Sequence, residues 1–349
     1  MIKSSSVTID SRILNLIAEL DEFKGRWEML GRLAPDKLMS LRRVATIESV
    51  GSSTRIEGSK LSDHEIELLL SNLEKNSFRS RDEEEVAGYA EAMDTIFESW
   101  EHIPFTENHI KQLHGIVLKY SSKDTAHRGE YKKFPNNVEA FDADGKSIGV
   151  IFETATPFDT PQLMNELINR TKSALREREL HPLLVIGVFI VHFLAIHPFQ
   201  DGNGRLSRAL TTLLLLQCGY RYVPFSSLER IVEENRDGYY RALRASQKEI
   251  RTENENMDVW LFFFLSILKK QKDVLLGKIE REKILEKLAP LAEKILAFTR
   301  ERGRITIADA VILLSANRNT VKLHLRQLVQ QGYLEQHGTG KGTWYSAGK

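Results

Sequence analysis

The sequence predicts a mainly α-helical protein, in which a helical bundle is followed by a small helix-turn-helix module. Two apolar runs, Leu183 to Ile196 and Ala209 to Leu216, are typical of buried helices and predict the centre of the bundle. Short runs around turn residues predict strands only at 137–152 and near the C-terminus. A chain of 349 residues is long enough for two or more domains with substantial cores.

Composition is that of an ordinary soluble globular protein, with 42% hydrophobic and 28% charged residues. The net charge of +1 gives the whole chain no general attraction to nucleic acid or to an anionic membrane. The single cysteine, Cys218, follows an apolar helix and favours a buried, inert thiol in a reducing compartment. Residues 1–14 lack the apolar core of a signal peptide, and the apolar run around His192 is short for a membrane span. We therefore expect a cytoplasmic protein without a membrane segment.

The N-terminal region, residues 1–105, is predicted to be helical. Short apolar spacings indicate a surface helix within residues 1–37. A second helix is predicted from Asp36 to Glu57, and Gly58 suits its C-terminal cap. Along this helix, apolar residues recur every three positions, at Leu38, Leu41, Val44 and Ile47.

Helix starts and turn residues define the next elements. Ser62 and Glu65 have the spacing of a capping box that opens a helix, and two further amphipathic helices are predicted within 80–126. Residues 137–152 contain two short strand-like runs around the turn residues 142–145, which predicts a β-hairpin.

The loop between the two apolar runs has the sequence HPFQDGNGRLSR, residues 197–208. Pro198 ends the first buried helix, because proline lacks a backbone donor and disfavours a helical residue before it. Gly202 and Gly204, on either side of Asn203, allow the turn conformations that open the second helix. The first amides of that helix, together with its dipole, favour a bound anion.

Four side chains in this loop predict the chemistry. Arg205 and Arg208 are three residues apart on the first turns of a helix, so they share a face at the predicted anion site. Asp201 can hold a hard cation, and His197 has a pKa suited to general-base work. The loop therefore predicts a phosphate site with a metal ligand and a base, which suits nucleotide chemistry.

This loop resembles the motif HPFx(D/E)GNGRxxR of the Fic family, and all nine specified positions match. The resemblance implies a Fic-type helical bundle with a β-hairpin flap. It also implies a protein adenylyltransferase, which transfers AMP from ATP to a Tyr, Ser or Thr hydroxyl of a target protein.

The same resemblance assigns roles to the loop residues. It implies that His197 deprotonates the target hydroxyl and that Asp201 holds Mg²⁺. The groups implied to bind the nucleotide phosphates are Gly202, Asn203, Gly204, Arg205 and, at the γ-phosphate, Arg208.

A second resemblance lies at the end of the second predicted helix. Ser53, Glu57 and Gly58 match the family pattern (S/T)xxxE(G/N) of Fic proteins that carry an inhibitory helix, here at about 38–58. By this resemblance, Glu57 pairs with Arg208 and denies it to the γ-phosphate. A carboxylate in an anion site both occupies the arginine and repels the triphosphate.

Two more features follow from the family resemblance. The hairpin 137–152 is expected to act as the flap that pairs with an extended segment of the target, a mode in which backbone hydrogen bonds give affinity. Tyr239 and Tyr240, with Gln247 further along, are expected near the adenine, although packing of the aromatic rings against the bundle explains the tyrosines equally well. His181 and His192 lack metal-ligand spacing, and a hydrogen-bonded core histidine is the better prediction for His192.

Residues 271–287 are charge-rich and predict a helical connector between a catalytic core, 106–270, and a C-terminal domain, 288–349. The C-terminal pattern is similar to a winged helix-turn-helix. Its predicted elements are helices 292–299, 307–314 and 319–331, a short strand at 305–306 and two strands within 332–345. Arg318, Asn319, Lys322 and Arg326 are predicted on the outward face of the last helix.

Residues 291–349 hold nine Lys or Arg against four Asp or Glu, so the C-terminal domain can serve DNA binding, protein contacts or dimerisation. The leading prediction is an autoinhibited adenylyltransferase that acts on a target and on itself. Two alternatives remain open: a Fic-fold enzyme that transfers another phosphate group or removes AMP with Glu57 placing a water, and a transcription regulator that senses a nucleotide.

Overall fold

The computed structural model describes residues 6–30, 35–72, 78–141, 147–287 and 290–348. The chain divides into two compact units, Met1–Leu275 and Leu276–Lys349. None of the described helices is long and apolar enough to cross a membrane.

The first unit is built from helices and one β-hairpin. Its helices are α1 (Ser11–Leu30), α2 (Pro35–Ile56), α3 (Asp63–Ser71), α4 (Arg81–Ser99), α5 (Glu107–Val117), α6 (Thr160–Glu177), α7 (Pro182–Ile196), α8 (Asn203–Gln217), α9 (Leu228–Glu234) and α10 (Arg236–Gln247). The long helix α11 (Asp258–Lys287) contains the division between the units. The hairpin consists of β1 (Val138–Phe141) and β2 (Ser147–Phe152).

Helices α7 and α8 pack against each other at the centre of the first unit. Pro182 occupies the first turn of α7, where a missing N–H costs nothing, and every residue from 183 to 196 is buried. The helix ends at His197, whose φ of +52° is left-handed. Gly202, with a φ of +77°, caps the start of α8, so the predicted loop lies between two core helices.

Helix α2 packs against α4, α9 and α8, which brings its C-terminal end to the start of α8. The threefold spacing correctly predicted the helix but not its buried side. Ala45, Val50 and Ile56 are buried, whereas Val44 is 47% exposed. A period of three drifts around a helix that has 3.6 residues per turn, so such a row cannot stay on one face. The capping box of Ser62 and Glu65 is present at the start of α3.

The hairpin strands are antiparallel, with Val138 opposite Phe152 and Ala140 opposite Gly149. The predicted turn residues 142–145 lie outside the described residues. Register shifts occur along the ladder, between Val138 and Glu139 and again before Phe141.

The second unit contains, after the end of α11, three helices and a three-stranded sheet. They are α12 (Pro290–Arg302), β3 (Ile305–Thr306), α13 (Ile307–Leu314), α14 (Arg318–Gln330), β4 (Leu334–His337) and β5 (Trp344–Ala347). The sheet order is β3-β5-β4, with antiparallel neighbours. A separate hydrophobic core includes Ile295, Val321 and Leu325, each fully buried. The helices and strands predicted from the sequence are therefore present here in the predicted order.

The compact units can be compared with the predicted domains. The division between Leu275 and Leu276 falls inside the predicted connector, 271–287, which belongs to one continuous helix rather than to a separate linker. The predicted N-terminal region, 1–105, lies in the same compact unit as the whole of the predicted core, 106–270.

The contact of α4 with α5 depends on a missing side chain at Gly88. A Cβ atom built there would collide with the Val117 carbonyl oxygen and lie 2.9 Å from its carbon. We predict that Gly88→Ala destabilises the protein by about 1–3 kcal/mol, because the added methyl group overpacks the contact between α4 and α5. Urea unfolding measures the change. Gly115→Ala is the matched control, since its Cβ meets nothing within 4 Å. Equal stability of the Gly88→Ala variant and the wild type would contradict this packing argument.

Candidate active site

The loop between α7 and α8 is closed by the side chain of Asn203. Its Oδ1 accepts the Phe199 N–H at 2.9 Å and its Nδ2 donates to the Phe199 carbonyl at 2.7 Å. Asn203 is 2% exposed, so these bonds form away from water, where an unpaired amide is costly. The sequence analysis placed Asn203 among the phosphate-binding groups. The structure instead commits its side chain to the loop, and its main-chain N–H on the first turn of α8 remains for an anion.

His114 supports the loop from α5. Its Nδ1 accepts the Gly129 N–H at 3.0 Å, so the ring proton sits on Nε2 and is donated to the Asp201 carbonyl at 3.0 Å. The ring also stacks on Phe199 with centroids 3.8 Å apart. Burial lowers the pKa of His114 to about 4, which keeps the imidazole neutral at pH 7.

Lys132 and Asn136 hold the other side of the loop. The buried Lys132 Nζ donates to Asn136 Oδ1 at 2.8 Å, to Thr154 Oγ1 at 2.9 Å and to the Ile196 carbonyl at 3.0 Å. Asn136 Nδ2 donates to the carbonyls of His197 and Phe199, at 3.2 and 2.6 Å. Burial, with a smaller effect of the Arg251 charge, lowers the pKa of Lys132 to about 8. Because Asn136 and Thr154 flank the hairpin, these bonds tie its base to the loop.

Sequence reasoning missed these supporting residues. His114, Lys132, Asn136 and Thr154 are scattered over forty positions and match no motif, so only the tertiary fold brings them together. The one available signal was weak. Lys132 and Asn136 lie immediately before the predicted hairpin. Only the structure shows that Lys132 is buried, and a buried lysine is uncommon unless its charge is paired or hydrogen-bonded.

His197 faces the cavity as a neutral base. Its Nδ1 lies 3.3 Å from the Leu194 carbonyl, which can only accept, so Nδ1 carries the proton and Nε2 has a free lone pair. Burial lowers its pKa to about 4, with the Leu194 hydrogen bond and the charges of Glu57 and Asp201 acting in the opposite direction. An incoming phosphate would raise this pKa, because it stabilises the imidazolium.

Asp201 is the carboxylate of the loop. Its Oδ1 accepts the Gly202 N–H at 2.6 Å, and its Oδ2 accepts from Arg81 at 3.1 Å. Burial raises its pKa, but the charge of Arg205, the Gly202 amide and the charge of Arg81 outweigh it, and the pKa lies below its usual value. Asp201 is therefore an anion at neutral pH. No cluster of three or more His, Cys, Asp or Glu suited to a metal occurs in the part of the chain described.

Arg205 is more deeply buried than Asp201, with 2% of its surface exposed. Its Nη1 lies 3.3 Å from Glu85 and its Nη2 lies 3.5 Å from Asp201. Its Nε and Nη1 make no hydrogen bond among the described residues. Both atoms are buried, and Nη1 takes part in the ion pair with Glu85, while the Arg205 side chain as a whole lines the cavity.

Arg208 is held by the end of α2. Its Nε donates to Ser53 Oγ at 2.8 Å, and its Nη2 donates to the Ser53 carbonyl at 2.9 Å and to Glu57 Oε1 at 2.8 Å. Burial lowers the pKa of Arg208, but the Glu57 charge outweighs it and the net pKa is raised. The predicted pairing of Glu57 with Arg208 is therefore present in this structure.

The Glu57 carboxylate also occupies the N-terminus of α8. A Cβ atom built on Gly204 would collide with Glu57 Oε1, so the carboxylate lies directly against this glycine. Here the unpaired amides and the dipole of α8 favour a negative charge. The carboxylate oxygens thus stand where the oxygens of another anion would bind.

A cavity of about 340 Å³ joins these residues. Its walls include all ten predicted site residues, and Gln247 as well; they are Glu57, His197, Asp201, Gly202, Asn203, Gly204, Arg205, Arg208, Tyr239 and Tyr240. Val138, Ile151 and Phe152 of the hairpin line the opposite side.

The two tyrosines take part in packing as well as in the cavity wall. Tyr239 is 6% exposed, and its ring lies 5.3 Å from Tyr240 and 5.4 Å from Trp260, edge-on to both. The rings thus pack against the bundle and also line the cavity, and their position near an adenine stays a prediction. His192 pairs with Glu255 at 3.3 Å in the core, and His181 contacts Asp21, so neither histidine belongs to the cavity.

Comparison with known proteins places this cavity in a family. Residues 104–215 match the profile of the Fic/DOC family. A probable protein adenylyltransferase of Aquifex aeolicus is 30% identical over 100 residues, which are 29% of this chain and 28% of that protein. Protein adenylyltransferase Fic of Drosophila melanogaster is 28% identical over 217 residues, 61% of this chain and 40% of that protein. This chain thus spans less than half the length of these curated relatives.

Solved structures agree with the profile. A Fic family protein from Desulfovibrio desulfuricans superimposes with a TM-score of 0.61 at 22% identity, covering 98% of this chain and 97% of that one. A Fic-domain signalling protein from Bacteroides thetaiotaomicron gives 0.57 at 25% identity, covering 77% and 94%. The fold is therefore a mainly helical Fic fold. Over residues 104–215 the chain is thus similar to the Fic/DOC family.

The buried histidines predict an acid-sensitive site. The pKa values of His114 and His197 are both lowered to about 4, so the unfolded chain binds protons more readily than the folded chain below pH 6.5. Stability is therefore complete above pH 6.5 and falls as the pH drops towards 4. Each histidine contributes at most about 3 kcal/mol. Urea unfolding at several pH values, followed by tryptophan fluorescence, should show a shallower pH dependence for His197→Ala. Stability that does not change between about pH 7 and 5 would contradict these pKa shifts.

Proposed function

We propose that this protein is an adenylyltransferase that transfers AMP from ATP to a hydroxyl of a protein. The observation that carries the proposal is one cavity in which the free Nε2 of His197, the carboxylate of Asp201 and the anion site at the start of α8 meet. Two relatives named protein adenylyltransferase match 29% and 61% of this chain. The arrangement supplies a base and charge neutralisation, which are what phosphoryl-type transfer requires of a protein.

The donor set fits the cofactors that this activity needs. Mg²⁺ is usually held by one or two carboxylates together with substrate phosphates and water, and Asp201 supplies one such carboxylate as an anion. Bound there, Mg²⁺ would neutralise charge on the phosphates of ATP. The guanidinium of Arg205, which lines the cavity, and the amides of Asn203 and Gly204 would bind phosphate oxygens.

The chain's own groups perform the proton transfer. The target hydroxyl oxygen attacks the α-phosphorus, an O–P bond forms, and the bond from that phosphorus to the leaving pyrophosphate breaks. The hydroxyl proton passes to Nε2 of His197, whose Nδ1–H stays on the Leu194 carbonyl and fixes the ring. The left-handed backbone of His197 is held by the donor bonds of Asn136 and Lys132 to this turn.

Glu57 would inhibit this reaction. It engages Arg208 and lies against Gly204, so a triphosphate and Glu57 compete for one anion site. The inhibitory end of α2 is fixed by Arg55, whose Nε and Nη2 form a two-point contact with Glu233 at 2.7 and 3.1 Å. Arg55 Nη1 also donates to Asp63 at 2.9 Å. Charge-assisted pairs of this geometry are stronger than neutral hydrogen bonds, so Glu57 is held in place by the fold itself.

The hairpin is the proposed docking site for a target. Its strands border the cavity beside His197, and Val150 is 51% exposed. An extended peptide can add to such an edge through backbone hydrogen bonds, which demand little of its sequence. A hydroxyl on the added strand would then face His197, and self-modification would use a segment of a second copy or of this chain.

Removal of the inhibitory carboxylate should raise transfer. We predict that Glu57→Gly, incubated with Mg²⁺ and ATP labelled at the α-phosphate, carries stable label at a level at least about tenfold above wild type, as expected when about 1.4 kcal/mol or more of competition is lost. Gel autoradiography and intact mass report the adduct. ATP labelled at the γ-phosphate is the parallel arm, and label from that position would instead indicate phosphate transfer. Equal α-label in both proteins would contradict inhibition by Glu57.

The role of His197 is tested separately, in a variant that also lacks the Glu57 carboxylate. We predict that Glu57→Gly with His197→Ala binds ATP with nearly unchanged affinity, because His197 makes no phosphate contact in the proposed mechanism, but loses at least about 100-fold in transfer. Isothermal titration calorimetry gives the affinity and α-label incorporation gives the rate. Undiminished transfer by the double variant would remove His197 from the mechanism.

A further inference from the structure

We propose that α14 is a helix that docks into the major groove of duplex DNA, with Arg318, Lys322 and Arg326 contacting phosphates. This would be a second binding function, independent of nucleotide transfer. It rests on the second unit alone.

The chain turns into α14 in the manner of a helix-turn-helix. Helix α13 ends at Leu314 and is capped by Ser315, which has a φ of +46°, and α14 begins at Arg318, so a turn of three residues, 315–317, joins them. Asn317 caps α14 by accepting the Asn319 N–H at 2.8 Å. One side of α14 is anchored by the fully buried Val321, Leu325 and Leu328. The opposite side is therefore presented to solvent at a fixed angle.

The exposed side of α14 has the composition of a DNA-reading surface. Its exposed positions include three cations and three amides, at Arg318, Lys322, Arg326, Asn319, Gln327 and Gln330. No Asp or Glu occurs anywhere in α14. Cations neutralise phosphates, and Asn and Gln are the side chains that pair with adenine in the major groove.

The three cations also make no ion pair among the described residues. No ion pair occurs within residues 290–348 as the structure describes them, whereas many of the arginines and lysines of the first unit are paired. Asp309, the acidic residue of α13, precedes α14 in the sequence and is engaged in the capping box of Thr306. From Arg318 to Arg326 the helix rises about 12 Å, comparable with the width of the major groove, so the row can span the groove's phosphate edges.

Protein contact is the competing use of this surface, because Ile312 is 78% exposed and Leu323 is 55% exposed. Ile312 lies on α13 beside Leu313, which is 42% exposed, whereas Leu323 is a single exposed apolar side chain among the cations and amides of α14. A lone apolar side chain in a reading helix can contact a thymine methyl group. A protein interface would more often replace the lysine and amides at its centre with aromatic or aliphatic residues. The surface therefore favours nucleic acid.

The test uses the full chain and a fluorescent duplex of mixed sequence, about 30 base pairs long, titrated between about 50 and 200 mM salt. Wild type should bind, with an affinity that falls linearly against the logarithm of salt concentration. The variant Arg318→Gln, Lys322→Gln and Arg326→Gln should bind at least about tenfold more weakly and lower the salt slope by about 3, since each phosphate contact contributes about 0.9. All three positions are exposed, so the fold should tolerate the changes.

The matched control removes the same charge from another surface, with Lys294→Gln, Arg300→Gln and Arg304→Gln, all exposed. It should keep the wild-type salt slope to within about 1. A loss equal to that of the α14 variant would overturn the proposal, as would absence of wild-type binding at about 50 mM salt. An RNA duplex of the same sequence that binds as tightly would also overturn it, because the RNA major groove does not admit a helix.

A separate experiment tests the side-chain amide of Asn319. A duplex selected from a random pool should be preferred over a scrambled one, and Asn319→Ala should reduce that preference roughly tenfold while keeping the salt slope. If the α14 variants changed only the oligomeric state, measured by sedimentation, the surface would be an interface between copies of this chain and the DNA proposal would be wrong.

Discussion

The structure depends on a polar loop enclosed by two apolar helices. Every residue from 183 to 196 is buried, and most of α8 is buried as well, so the turn between them has little access to water. Backbone groups in such a place must be paired within the protein. Asn203 pairs the Phe199 amide and carbonyl, His114 pairs the Asp201 carbonyl, and Asn136 pairs the carbonyls of His197 and Phe199.

This pairing also creates the site. Because the carbonyls of the loop are turned outward to these partners, the first amides of α8 are left facing the cavity with the helix dipole behind them. The bonds that satisfy the loop thus produce the anion site at Gly204 and hold the left-handed backbone that turns His197. The apolar helices supply the low-dielectric surroundings that keep His197 neutral.

The sequence predicted the features that depend on residues close together in the chain, and it missed those that depend on tertiary packing. The loop between α7 and α8, the position of Glu57 at the end of α2 and most helices were predictable, because each depends on neighbours within a few positions. The buried side of α2 was not, since packing rather than propensity decides it. Lys132 and His114 were missed for a related reason, because their partners are in loops that only the fold brings near. Asn203 was predicted at the right place with an incomplete role, since sequence does not show which atoms a side-chain amide will pair.

The electrostatics of the site explain why the Glu57 carboxylate lies beside Arg208. Arg208 is nearly buried, and an unpaired buried cation would cost several kcal/mol, so the empty site favours any anion that can reach it. Glu57 satisfies that requirement from within the chain, while Arg55 ties the same helix end to Glu233 and Asp63. Under the proposed function, a triphosphate would therefore have to displace a carboxylate whose position is fixed by a second ion-pair network.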